Sequence, residues 1–179
     1  MATKNAQQTL ELELFRNDDD ADAKSERILT TLKEELEIEH LPRRIECFDI
    51  SNIQGTDNVA SMVVFERAAP KKSDYRTFKI KSVEGEPNDF ASMKEVVGRR
   101  YSRLLDEGKT FPDLIIIDGG KGQLSAAMEA LGELEEKGLD WTGFSIVGLA
   151  KKQEEVFSRT APTQCCCRAA AKHCSFSKE

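Results

Sequence analysis

The apolar positions of this chain follow two rhythms. Ile28, Leu29, Leu32 and Leu36 recur at helical spacing and predict a charged surface or connecting helix over residues 25–39, ended by Leu41-Pro42. From residue 43 the period shortens. Residues 43–51 and 59–66 read as strands separated by a turn at 52–57. A hairpin connection at 68–73 leads to residues 75–83, which alternate as a third strand with one wet face. Phe90, Met93, Val96, Val97, Tyr101, Leu104 and Leu105 then mark one face of a helix, with Asn88 or Asp89 as its cap and Gly108 near its end. Residues 114–117 form a continuous apolar run, as a buried strand does. A second helix is predicted over 121–137, with Leu124, Ala127, Met128, Leu131 and Leu134 inward and Gly138 after it. Residues 144–149 make a fifth strand.

The predicted order is β-β-β-α-β-α-β: an antiparallel meander, then parallel crossovers. That is the chain order of a ribonuclease H-like mixed sheet, an α/β fold, here expected to be incomplete at its C-terminus. Two of the strand runs end on an acid, at Asp49 and at Asp118. Carboxylates that converge at a sheet edge repel each other unless a divalent cation lies between them, and an all-oxygen donor set suits Mg²⁺ or Mn²⁺. In the ribonuclease H-like fold the metal-binding carboxylates occupy the first strand and the end of the fourth, the places of these two residues. A turn or cap role is the competing reading, and Asp118 before Gly119-Gly120 fits a turn easily. Asp49 opens no helix and fits that reading less well. The glycine-rich stretch Gly119-Gly120-Lys121-Gly122 misses the spacing of a nucleotide-binding phosphate loop, yet glycines before a helix still let a phosphate approach, and Lys121 is a candidate contact to a DNA backbone. Arg99, Arg100 and Arg103 form either a solvated helix face or a phosphate-facing patch.

Composition narrows the class. The 179 residues are 39% hydrophobic and 32% charged, enough for one globular body with polar ends. No apolar run approaches the ~20 residues of a membrane span and no export signal opens the chain, so a cytoplasmic protein without a membrane partner is expected. The net charge of −6 does not advertise a nucleic-acid binder, but the acidic excess is concentrated in the first forty residues and the middle is nearly balanced. Cys165, Cys166, Cys167 and Cys174 crowd the end of the chain at spacings that fit no zinc site. Three regions follow: an acidic linker and connecting helix over 1–40, a folded domain over 41–157, and an aberrant, disordered tail over 158–179.

Several strings are specific. Arg44-Ile45-Glu46-Cys47-Phe48-Asp49-Ile50-Ser51, Gln54-Gly55-Thr56, Val59-Ala60-Ser61-Met62-Val63-Val64-Phe65, Asp89-Phe90-Ala91-Ser92-Met93, Leu114-Ile115-Ile116-Ile117-Asp118-Gly119-Gly120-Lys121-Gly122-Gln123-Leu124 and Gly148-Leu149-Ala150-Lys151 together resemble the UvrC component of the bacterial excinuclease ABC, over about Asn5 to Phe157. The resemblance implies nucleotide excision repair: recruitment to damaged DNA by UvrB at a lesion loaded by UvrA, and incision 5′ to the lesion by a metal-dependent ribonuclease H-like endonuclease domain. Its metal-binding, catalytic aspartates map onto Asp49 and Asp118. The family's GIY-YIG nuclease domain, most of its UvrB-binding segment, its helix-hairpin-helix module and the histidine of its Asp-Glu-Ala-His segment have no counterpart; His40 and His173 match neither position nor context. The resemblance therefore implies weakened metal binding and poor or absent incision, the alternative being a catalytically dead remnant that at most holds DNA or UvrB weakly. Re-read one nucleotide out of frame with permitted codons, the tail resembles the family's continuation, so a frameshift near Phe157 is expected and the cysteine cluster has no ligand role.

Overall fold

The computed structural model describes residues 21–53, 57–81, 88–150 and 155–158. Helix α1 (residues 21–35) precedes strands β1 (Arg44–Ile53), β2 (Asp57–Glu66), β3 (Ala69–Pro70) and β4 (Arg76–Lys79). Helix α2 (Asp89–Asp106), β5 (Leu114–Asp118), α3 (Lys121–Gly132), β6 (Ser145–Ala150) and β7 (Glu155–Ser158) follow. The described strands form one mixed sheet in the order β3-β2-β1-β5-β6-β7, with β4 also paired to β2. β2 runs antiparallel to β1, whereas β1, β5 and β6 are parallel. This is the ribonuclease H-like mixed sheet that the chain order predicts.

The elements differ from the sequence expectation in detail. β1 does not stop at Asp49 but runs on to Ile53, paired with β2 along its whole length. The strand expected over 75–83 is the shorter β4, and the connection expected at 68–73 carries the two-residue β3 and a 3-10 turn at Lys72–Asp74. β7 returns antiparallel along β6 and has no counterpart in the predicted order; Val156-Phe157 is too short a run to signal a strand without its partner. α3 closes at Gly132, and the expected last turn winds instead as a 3-10 segment, Glu135–Lys137, before left-handed Gly138 at φ 92°. Glycine suits that backbone because it has no Cβ to clash. The first twenty residues of the acidic linker, residues 54–56 of the predicted turn and the tail beyond Ser158 lie outside the described residues.

Sheet parity explains the two layers of core. Phe48, Met62, Val64, Ile115, Ile117 and Ile146 point to one face, where Met93, Val97, Tyr101, Leu124, Ala127 and Leu131 of α2 and α3 cover them. Ile45, Leu114 and Val147 point to the other, under Leu29, Leu36 and Ile38. β5 is apolar at consecutive positions because it is covered on both sides. The helix expected as a connector is therefore a structural layer. An aromatic row crosses the larger core: Phe48 to Tyr101 at 6.0 Å, Tyr101 to Phe111 at 5.1 Å, Phe111 to Phe144 at 5.6 Å and Phe144 to Trp141 at 5.4 Å between ring centroids. α2 starts where the Asn88 side chain accepts a hydrogen bond from the Ala91 N–H at 3.1 Å. Lys94 then ties it to Glu129 of α3 and to Glu133, the residue that caps α3, each at 2.7 Å.

Candidate active site

Asp49 and Asp118 are brought together by strand register. β1 and β5 run parallel with Ile45 opposite Leu114, Cys47 opposite Ile116 and Asp49 opposite Asp118. Directly opposed residues on neighbouring strands, about 4.8 Å apart, project their side chains to the same face. That face is the one α1 covers, since Asp49 shares parity with Ile45 and Asp118 with Leu114. The α1 layer reaches Ile45, Leu114, Ile116 and Val147, and both aspartates lie further along their strands, half-buried. The Ser51 hydroxyl donates to Asp49 Oδ2 at 3.2 Å.

The turn after Asp118 is shaped by small residues. The Gly119 N–H donates to the Ile117 carbonyl at 2.9 Å, folding the chain sharply around Asp118. Gln123 folds its side chain back over Gly119: a Cβ there would lie 1.5 Å from Gln123 Oε1. On the adjacent strand, a Cβ at Gly148 would meet the Gly119 carbonyl oxygen at 3.3 Å and Leu124 Cβ at 3.2 Å. Glycine at 148 thus lets the β5–α3 turn lie against β6. α3 then begins at exposed Lys121, with Gly120 as a cap that offers no side-chain bond.

Two carboxylates on one face, with a hydroxyl beside them, form an oxygen-only donor set. Such a set fits Mg²⁺ or Mn²⁺, which take one or two protein carboxylates and complete their shell with water and substrate oxygens. Among the described residues no group of three or more His, Cys, Asp or Glu side chains is gathered for a metal ion. His40 is engaged elsewhere, with Nε2 3.0 Å from the Thr142 carbonyl oxygen.

The basic candidates separate. Lys121 stays at the edge that carries Asp118. α2 starts at that same edge, where Phe90 meets Gly122, and a rise of about 1.5 Å per residue carries Arg99 some ~15 Å down the axis and Arg103 further still. Each arginine also has a carboxylate. Arg99 Nη1 donates to Glu95 Oε1 at 2.7 Å, and Arg103 Nε to Glu107 Oε1 at 2.6 Å. Arg100, with 18% of its side chain exposed, turns inward to Glu46.

Glu46 is a residue the hydrophobic pattern does not single out. It is fully buried on β1 and faces α2. Arg100 reaches it through Nη2 at 2.7 Å and Nε at 3.2 Å, Arg44 through Nη2 at 3.2 Å, and the Tyr101 hydroxyl donates to Oε2 at 3.1 Å. A buried carboxylate needs this degree of pairing to remain charged. Burial first, and the Glu46 charge second, push the Tyr101 phenol well above its ordinary range. Arg44 extends the network to Asp74 at 3.0 Å and, through that hydrogen bond, lowers the Asp74 carboxyl. Nothing in the sequence marks this group: Glu46 alternates as a strand acid does, and Arg100, between Arg99 and Tyr101, reads with the charged face of α2.

Phe90, expected inward, is 56% exposed. It keeps the helical period but stands in the first turn of α2, where one ring edge meets Gly122 of α3 and the rest stays open.

The chain matches the family model described as the UvrC RNAse H endonuclease domain over residues 33–178, a stretch that includes most of the tail set apart on sequence grounds. It is 57% identical over 131 residues to the UvrABC system protein C of Flavobacterium psychrophilum, covering 73% of this chain and 21% of that protein. It is 53% identical over 158 residues to the counterpart in Cytophaga hutchinsonii, covering 88% of this chain and 25% of that protein. The chain thus spans a fifth to a quarter of the length of these relatives. A solved structure of Ciona intestinalis endonuclease V with inosine-containing DNA gives a TM-score of 0.44 at 16% identity, over 76% of this chain and 58% of that one.

Proposed function

The chain belongs to the UvrC RNAse H endonuclease domain family, and on that premise we propose that it is the part of a UvrABC-type DNA-repair endonuclease that hydrolyses a phosphodiester 5′ to a lesion. The observation that carries this reading is the register match of Asp49 with Asp118 on adjacent parallel strands. In it, Asp49 and Asp118 hold Mg²⁺ or Mn²⁺, and Ser51 orients the Asp49 carboxylate. The metal, when bound, supplies Lewis-acid stabilisation of charge on the phosphate and lowers the pKa of an attacking water. The chain's own groups position the substrate: Lys121 meets the backbone beside the scissile phosphate as a point charge. Arg99 and Arg103, with 43% and 76% of their side chains exposed, offer more distant phosphate contacts. Arg100 supports the reading only indirectly, by holding β1 to α2 through Glu46. The partners are damaged DNA and UvrB. Among the described residues no helix is long and apolar enough to cross a membrane, and a cytoplasmic location accords with the reading.

The test compares the chain with its Asp49→Asn and Asp118→Asn variants by Mn²⁺ calorimetry and by incision of nicked, UvrB-bound DNA. Metal binding is expected in the parent and lost in both variants, with any incision falling by at least ~100-fold, the scale on which loss of a key electrostatic group acts. Equal cleavage by parent and Asp49→Asn removes the site from Asp49. Metal uptake without cleavage by the parent identifies the chain as a binding remnant, a reading favoured by the absence of a third metal-ligating side chain among the described residues.

A further inference from the structure

Among the described residues three large apolar side chains are exposed: Ile28, Phe90 and Leu149. An isolated exposed apolar residue carries little meaning, but two of these three flank one turn. Leu149 is the β6 register partner of Asp118. Phe90 lies across Gly122, in the first turn of α3: a Cβ there would come within 2.5 Å of Phe90 Cε1 and 2.9 Å of Cζ. Gly122 is the fourth residue after Asp118 and directly follows Lys121. Without a side chain at 122, the ring edge rests on backbone, and more than half of the phenylalanine stays open to solvent. The ring thus has a one-sided contact with the α3 backbone without being buried.

We propose that Phe90 is a stacking platform for an unpaired nucleobase of the DNA strand held at Asp49 and Asp118, a role that rests on the nuclease reading above. A phenyl ring offers a π-face and no hydrogen-bonding group, so it takes any base by stacking and reads none of their edges. Sequence-tolerant stacking suits an endonuclease whose cut is placed by a lesion. Lys121, beside the ring in the fold, supplies the cation for the adjoining phosphate. The acids lie on the face that α1 covers and α2 packs on the other, so a strand held at the acids reaches Lys121 and the ring by passing over the β5–α3 turn at the end of the sheet. An apolar docking spot for a protein segment would need the ring but not the lysine or the acids.

The test uses the chain in EDTA at low salt with a single-stranded oligothymidylate carrying one 2-aminopurine, whose fluorescence falls on stacking. The parent and Phe90→Trp are expected to bind and quench. Phe90→Ala, whose fold an exposed position leaves intact by circular dichroism, is expected to lose the quenching and bind about tenfold more weakly, in line with the known worth of one base–aromatic stack. Phe90→Leu, which keeps apolar bulk without a π-face, is expected to behave like Phe90→Ala. Parent-like binding and quenching by Phe90→Ala overturns the proposal, and parent-like behaviour of Phe90→Leu replaces stacking with plain apolar contact. Mn²⁺ calorimetry on the same samples separates the two readings. Metal uptake with no effect at Phe90 removes the stacking role alone. A parent that takes up neither metal nor oligonucleotide removes both.

Discussion

Tyr101 shows how a single residue is fixed by partners far away in sequence. Its inward position follows from helical period, but its hydroxyl is committed to Glu46 on β1. The phenol is raised by burial and by the Glu46 charge. Unfolded, a tyrosine titrates near pH ~10. Between that value and the higher folded one, the native state keeps a proton the unfolded chain has lost, so stability is full below about pH 10 and falls as pH rises beyond it. Tyr101→Phe should lower stability by about 1–3 kcal/mol at neutral pH, through loss of a hydrogen bond to a charged group. It should also flatten the alkaline decline. Urea midpoints of both proteins at neutral pH and at about pH 10.5 measure this. A variant that declines as steeply as its parent would place the titrating group elsewhere. Glu46 itself is illegible in the sequence, because an acid between Ile45 and Cys47 reads as a solvent-facing strand position until α2 is laid over it.

At the scale of elements, the β5–α3 turn determines how the site is built. Residues 114–117 are recognisable as a strand from their unbroken apolar run, and Asp118 as its end. The fit of the turn against β6 is not recognisable, because it depends on Gly148, a residue on another strand. Gly148→Ala places a Cβ 3.3 Å from the Gly119 carbonyl oxygen and 3.2 Å from Leu124 Cβ. The backbone oxygen has less freedom to yield than a side chain. The substitution should lower stability by about 1 kcal/mol, at the mild end of overpacking. It should also weaken Mn²⁺ binding several-fold by shifting the turn that carries Asp118. Thermal melts and calorimetry on the same variant check both effects, and unchanged metal affinity would show that the turn absorbs the extra methyl group. Phe90 teaches the complementary lesson. Helical spacing identifies the face, but in the first turn of α2 that face meets only the side-chain-free Gly122 among the described residues of α3, and the ring stays exposed.

For the whole molecule, the two cores separate the duties of the sheet. One face is sealed by α2 and α3; the other is covered by α1 only as far as Ile116 and Val147, leaving the stretch beyond, Asp49 within β1 and Asp118 at the end of β5, to the acids. A cation bound there contacts two strands at once and stabilises the folded chain alone. At ten times its dissociation constant such a ligand adds about 1.4 kcal/mol, which raises the melting temperature by a few degrees for a domain of this size. Mn²⁺ should therefore raise the melting temperature of the parent and leave Asp49→Asn and Asp118→Asn unmoved. An equal rise in all three would assign the metal to another place.

Local sequence alone determined the main strands and helices, the acid that ends β5 and the order that makes the sheet mixed, because period and turn chemistry act over a few residues and repeat along the chain; it did not show that β1 runs on past Asp49 to Ile53, an extension held by pairing with β2. Tertiary structure alone decided that Asp49 stands opposite Asp118, that Arg100 turns away from solvent to Glu46, that α1 is a layer of the domain and that Phe90 remains uncovered. Each of these depends on which surfaces meet. A pairing register one residue out would send one acid to the opposite face of the sheet, and nothing within either strand read by itself reports that choice.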